Sequence, residues 1–205
     1  MFSPLSFAAG AATWSLAEYS LHRFAGHAPR QRKSDQKARL FDGDFGTEHQ
    51  AHHTDTRYFT PTERKLKTAA VVLAAAGTLG SLAFGPRRAL SFAAGFAITY
   101  ASYEILHRRT HTHAPRGAFG RWARRNHLSH HFSNPGTNHG VTSPLWDFVF
   151  GTLRNPARFE GKVGFYDGAS SRLGTLLLGR KLEAPEGVGP TPGRRTRRPV
   201  ESAAA

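Results

Sequence analysis

TAAVVLAAAGTLGSLAFGPRRALSFAAGFAITYASY, residues 68–103, decides the fold. Residues 68–84 and 89–103 carry no charge, and Ile105 and Leu106 extend the second run past Glu104. A helix rises about 1.5 Å per residue, so each run is close to the roughly 17–20 residues that cross about 30 Å of hydrocarbon. Both runs are rich in Ala and Gly, the small residues that let membrane helices approach closely. Only GPRR, residues 85–88, separates them, so the spacing predicts a helical hairpin. The hairpin of a soluble bundle would show a polar stripe, whereas here the small polar groups are only Ser and Thr.

A third apolar segment, FSPLSFAAGAATWSLAEYSL (2–21), has Glu18 as its only charge. It lacks the basic leading region of a signal peptide and reads as a first membrane helix. The expected fold is all-α: a membrane bundle of about three to four helices with a cytoplasmic helical cap. The weak candidates for a fourth span are LWDFVF (145–150) and RLGTLLL (172–178). Residues 1–180 form the expected domain. Residues 181–205, rich in Pro, Gly and Arg without an apolar pattern, read as a disordered basic tail.

The 205 residues include no cysteine, so any metal must be held by nitrogen and oxygen. The formal charge of +14 suits nucleic acid, an anionic membrane surface or a basic tail. Its distribution favours the membrane. Ten Lys/Arg lie in 22–67, two in the hairpin turn, and six Arg without an acid in 107–131. The positive-inside rule then places 22–67 and everything after 106 in the cytoplasm. No base-reading motif accompanies the charge, so no nucleic-acid partner is expected.

All twelve histidines lie between His22 and His139, and the topology puts the spaced ones on one side of the membrane. His22 and His27 form one set. His49, His52 and His53 form a second, His107 and His111 a third, and His127, His130 and His131 a fourth. Positions i, i+3 and i+4 share a helical face, so each H-x-x-H-H set converges. Gly26 is expected to interrupt the first helix and let the His27 ring swing back. Ten imidazoles are too many for one ion but suit two, with about five nitrogens each. That donor set fits Zn, Cu, Fe or Ni and excludes Mg and Ca. His113 and His139 stand outside the spacing and read as ordinary polar residues. Glu18, four before His22, and Glu104, three before His107, are acids in or beside apolar helices. They are expected to support ligand rings through the second N–H. Asp147 is a further candidate for that role, or the cap of a local turn.

The ordered boxes H-x4-H, H-x2-H-H, H-x3-H and H-x2-H-H resemble those of the fatty acid hydroxylase/sterol desaturase superfamily of membrane di-iron oxygenases. WSLAEYSLHRFAGH (14–27) is similar to the first box of fatty acid 2-hydroxylases, and GVTSPLWDFVFGT (140–152) looks like the segment that follows the last box. The resemblance covers about residues 12–153. It implies that the ten spaced histidines ligate two iron ions, for which zinc can substitute, with O2 as co-substrate. No catalytic residue beyond the metal centre is implied. The implied reaction is hydroxylation of an unactivated C–H bond of a lipid drawn from the bilayer, foremost a fatty acyl chain. A sterol or carotenoid, or desaturation by the same chemistry, stays open. With no cytochrome-like domain in the sequence, electrons are expected from an external ferredoxin- or cytochrome-type donor with its reductase. Two other classes compete. A membrane zinc hydrolase would need a general base such as the Glu of H-E-x-x-H, for which Glu48 beside His49 is a poor substitute. A metal carrier would need ligands at mid-membrane depth.

Overall fold

A computed structural model describes residues 2–27 and 45–156. The tail 181–205 and the segment RLGTLLL lie outside the described residues. Six α-helices are present among them: α1 (Pro4–Ser20), α2 (Phe45–Thr54), α3 (Thr62–Phe84), α4 (Pro86–Thr112), α5 (Gly117–Phe132) and α6 (Leu145–Val149). The all-α expectation holds.

The hairpin of α3 and α4 turns more sharply than GPRR suggested. Gly85 alone is non-helical, at φ 82°, and Pro86 already begins α4. Glycine tolerates the left-handed region without steric cost, and proline suits the first helical position because its missing N–H would be unpaired there. These two helices, of 23 and 27 residues, are long and apolar enough to cross a membrane. The α3 helix buries no residue.

The third expected span is a shorter helix. α1 has 17 residues, and the chain then continues as a π-helical turn, Leu21–Gly26. The helices α1 and α4 run parallel. The Ser3 N–H donates to Ser91 Oγ at one end, and Trp14 packs on Phe96, Tyr100 and Tyr103 further along. Their crossing is made by glycine. A Cβ on Gly10 would stand 2.0 Å from the Phe92 carbonyl oxygen, and one on Gly95 would stand 2.0 Å from that of Phe7. The backbones therefore touch, as small residues permit in membrane helix pairs. The LWDFVF segment forms α6, whose five residues are too short to cross hydrocarbon.

Beyond the apolar part of α4, helices α2 and α5 close over its end. Glu48 of α2 accepts from Tyr58 Oη, Thr60 Oγ1 and Arg64, which fixes α2 to the start of α3. Lys65 of α3 pairs with Glu104 of α4 at 2.5 Å.

Candidate metal centre

The ten spaced histidines gather into two groups of five. His22, His27, His49, His53 and His130 form the first; His52, His107, His111, His127 and His131 form the second. Within each group one nitrogen per ring lies within 4.8 Å of all the others. The sorting follows helical geometry. On α2, His49 and His53, four apart, serve the first group, and His52 crosses to the second. On α5 the pattern is mirrored: His127 and His131 serve the second group and His130 the first. α4 gives its i, i+4 pair only to the second group.

The first helix has no i, i+4 pair. His22 and His27 are five apart, which on an α-helix would point them about 140° away from each other at roughly 3.6 residues per turn. The π turn over Leu21–Gly26 removes that mismatch, because its repeat is wider. The helix ends at Gly26, where the sequence placed its interruption, and the underwound π turn before it brings the two rings round. Gly26 has a second task. A Cβ there would lie 2.7 Å from the His49 ring, so its absence lets α2 seat a ligand against the first helix. Gln50 Nε2 donates to the Gly26 carbonyl at 2.9 Å and secures the contact.

In the first group the Nε2–Nε2 distances are 3.0 Å for His27–His130, 3.1 Å for His27–His49 and 3.2 Å for His53–His130. In the second they are 2.7 Å for His111–His127, 3.0 Å for His52–His111, and 3.1 Å for both His52–His107 and His127–His131. Two nitrogens at right angles about an ion, each at about 2.1 Å, are about 3.0 Å apart, and opposite ones about 4.2 Å. The spacing therefore fits five ligands around each of two ions. The groups adjoin, since His53 of one stacks on His131 of the other at 4.0 Å.

Backbone carbonyls decide which nitrogen faces inward. His22 Nδ1 donates to the His139 carbonyl, His52 Nδ1 to Tyr58 at 2.8 Å and His130 Nδ1 to Thr137 at 2.8 Å. Each such bond places the proton on Nδ1 and leaves the Nε2 lone pair for a metal. His22 Nε2 is buried with no hydrogen-bond partner, an orphan that an ion would satisfy. Burial also keeps the rings neutral. It pushes His27 and His52 down to about 4 and His53 to about 3, and holds His130 and His131 well below the ordinary range, with neighbouring imidazoles adding to the effect for all but His52. These residues fit a pair of transition-metal ions.

The acids act one step further out than the sequence suggested. Glu18 is buried, but its carboxylate accepts the N–H groups of Val141 and Thr142 and the Thr142 hydroxyl, not a ring N–H. Asp147 accepts the N–H groups of His139 and Gly140 and the Thr152 hydroxyl. Glu104 turns to Lys65. The reason is demand: residues 138–142 form a buried loop whose N–H groups lack helix or sheet partners, and two carboxylates meet that need. Asn138, at φ 57°, completes the loop by donating its N–H to Thr152 and accepting from the Arg154 N–H. The carbonyl that holds His22 belongs to this loop.

His139 is the residue the spacing missed. It is buried, and its ring lies 5.2 Å from His130, 5.5 Å from His22 and 5.7 Å from His27. Its only sequence signal was adjacency to the last box. His113, also taken as an ordinary polar residue, is buried too, bonding Thr112 Oγ1 through Nδ1 at 2.6 Å.

The fold and this centre define a class: an all-α protein with two membrane-length helices and two adjoining all-histidine groups, suited to a pair of metal ions, at the end of one of them. The sequence matches the fatty acid hydroxylase family over residues 7–152, and the chain belongs to that family. It is 34% identical over 150 residues to the dihydroceramide fatty acyl 2-hydroxylase FAH2 of Arabidopsis thaliana, covering 73% of this chain and 60% of that one. It is 31% identical over 170 residues to the ceramide very long chain fatty acid hydroxylase SCS7 of Saccharomyces cerevisiae, covering 76% and 40%. A solved structure of full-length scs7p, in which only the hydroxylase domain is visible, superposes with a TM-score of 0.55 at 27% identity, covering 75% of this chain and 57% of that one. The chain thus spans 60% or less of these relatives' lengths.

Proposed function

We propose that this protein hydroxylates a fatty acyl chain, free or in a ceramide-type lipid, at the carbon next to the carbonyl. One O2 and two electrons with two protons convert C–H to C–OH and release water. The observation that carries the reading is the pair of five-imidazole groups sharing α2 and α5. Two iron ions, held by the ten histidines named above and replaceable by zinc, would supply the activation of O2 and the removal of the hydrogen atom. The substrate position follows from the names of the relatives, which are acyl 2-hydroxylases.

The chain's own residues set the conditions. Neutral, buried rings exclude protons from the ligand nitrogens. His107 and His111 sit at the end of the membrane-length α4, so an acyl chain anchored in the bilayer presents its carbonyl end to the centre at the membrane surface. Tyr103 stacks on His107 at 5.5 Å, and Trp14 lies 5.5 Å from Tyr103. These rings pack between α1 and α4 on the membrane side of the centre. We place the histidine centre on the cytoplasmic side, with α1 as a third span because it runs beside α4. Electrons come from a ferredoxin- or cytochrome-type donor.

The hydrolase alternative is disfavoured by Glu48, whose carboxylate is committed to Tyr58, Thr60 and Arg64. The carrier alternative is disfavoured by ligands gathered at one end of α4 rather than along it. The test is expression in a host lacking acyl 2-hydroxylase, with lipids analysed by mass spectrometry. A 2-hydroxyacyl species should appear with the wild-type chain and vanish with His130→Ala. An unchanged lipid profile from an iron-loaded wild type, supplied with reductant, would reject the reading.

A further inference from the structure

A cavity of about 170 Å³ opens at the elbow between α4 and α5, away from the ten ligand nitrogens. Arg109, Arg116 and Arg124 line it together with Leu106 and Phe119, and no acidic residue does. Its depth is set by α4. The apolar run of that helix ends at Leu106, and the cavity follows the helix from there to His113, about 10 Å further at roughly 1.5 Å per residue. That is the headgroup layer, just outside the hydrocarbon. The first turns of α5 carry the matching surface. Phe119 is 57% exposed and lies 5.7 Å from the Trp122 ring, while Arg121 and Arg125 are exposed on the same helix. Aromatic rings beside arginines are the composition of a helix seated in the interface.

We propose that this elbow binds the phosphate of an anionic membrane phospholipid, with Arg109 and Arg116 at the headgroup and Phe119 against its acyl region. Guanidinium groups bind phosphate through paired N–H donors, and anionic lipids concentrate in the cytoplasmic leaflet. Arg124 is the structural member. Its guanidinium donates to the Thr110 and His113 carbonyls, and burial lowers it to about 10. An anion beside it would relieve part of that cost. The inference needs the membrane placement of α4 but not the reaction proposed above.

The experiment compares wild type with the Arg109→Gln/Arg116→Gln double variant, each as the full chain in phosphatidylcholine nanodiscs containing or lacking phosphatidylglycerol. Lipid retained per protein is read by mass spectrometry, with metal content as the check on folding. Wild type should retain phosphatidylglycerol over phosphatidylcholine, and the variant should lose roughly tenfold or more of that preference with its metal intact. An unchanged preference overturns the proposal. So does equal stabilisation by inorganic phosphate with no added effect of phosphatidylglycerol, which would mark a soluble-anion site. A variant that keeps its lipid preference but loses reduction by an acidic donor protein would mark a protein-docking face, and would likewise overturn it. A variant that loses its metal is replaced by Arg116→Gln alone, whose side chain is exposed, and the same readings apply.

Discussion

His22 Nδ1 donates its proton to the carbonyl oxygen of His139, 117 residues along the chain. The carbonyl is held in turn by its loop, through the carboxylate of Asp147 on the His139 N–H at 2.8 Å. A candidate ligand on the first helix is therefore aimed by an acid on α6.

Replacing Asp147 by Ala should free that loop. The substitution leaves two buried N–H groups without an acceptor, at about 1.5–3 kcal/mol for a charged acceptor, and removes one partner of the Thr152 hydroxyl. The expected result is a lower melting temperature together with loss of metal from the first group. Atomic emission on purified protein should then give near one metal per chain rather than two. Two metals at full occupancy would break the link drawn from Asp147 to His22.

Gly26→Ala should act on the same group by another route. The new Cβ would press into the His49 ring at 2.7 Å, and overpacking of this kind costs about 1–3 kcal/mol. Weaker metal retention during dialysis against a chelator, with the helical content of the protein unchanged, is the expected signature.

Gly10→Val and Gly95→Val should separate α1 from α4. The backbone carbonyl that each Cβ would meet at 2.0 Å cannot rotate away as a side chain can. Since α1 leads directly into His22, poor packing and loss of the first metal should occur together. Gly77→Val, where a Cβ meets nothing within 4 Å, is the control and should melt like wild type.

Acid should destabilise the metal-free protein. His27, His52 and His53 have folded values of about 4, 4 and 3, below the roughly 6.5 of an unfolded chain. Between these limits the unfolded state binds more protons, so stability is present above about pH 6.5 and falls as the pH drops toward 4. Thermal melts of chelator-treated protein should show a falling midpoint across that window. A flat midpoint there would mean that the rings already take up protons in the folded state.

Histidine substitutions should divide into two sets. His130→Ala should deplete the first site and His111→Ala the second, each retaining about one metal, because the two groups share no nitrogen. Metal counts in the single and double variants would show whether the sites fill independently.

Local spacing determined much of this protein. The uncharged runs of 68–84 and 89–103 specified α3 and α4, because a helix of that length with no polar stripe has only lipid or a buried core to face. The i, i+4 pairs specified convergent ligand faces, since side-chain direction on a helix follows from its repeat. The tertiary structure decided what depends on contacts across the chain. It sorted His52 away from His53 and His130 away from His131, because α2 and α5 each face both the rings of the first helix and those of α4. It widened Leu21–Gly26 into a π turn to bring His27 round to His22. It turned Glu18 and Asp147 to a loop more than a hundred residues from the first helix, and drew in His139. A period can be read from neighbouring residues; which distant backbone N–H will need a carboxylate is settled only when the helices pack.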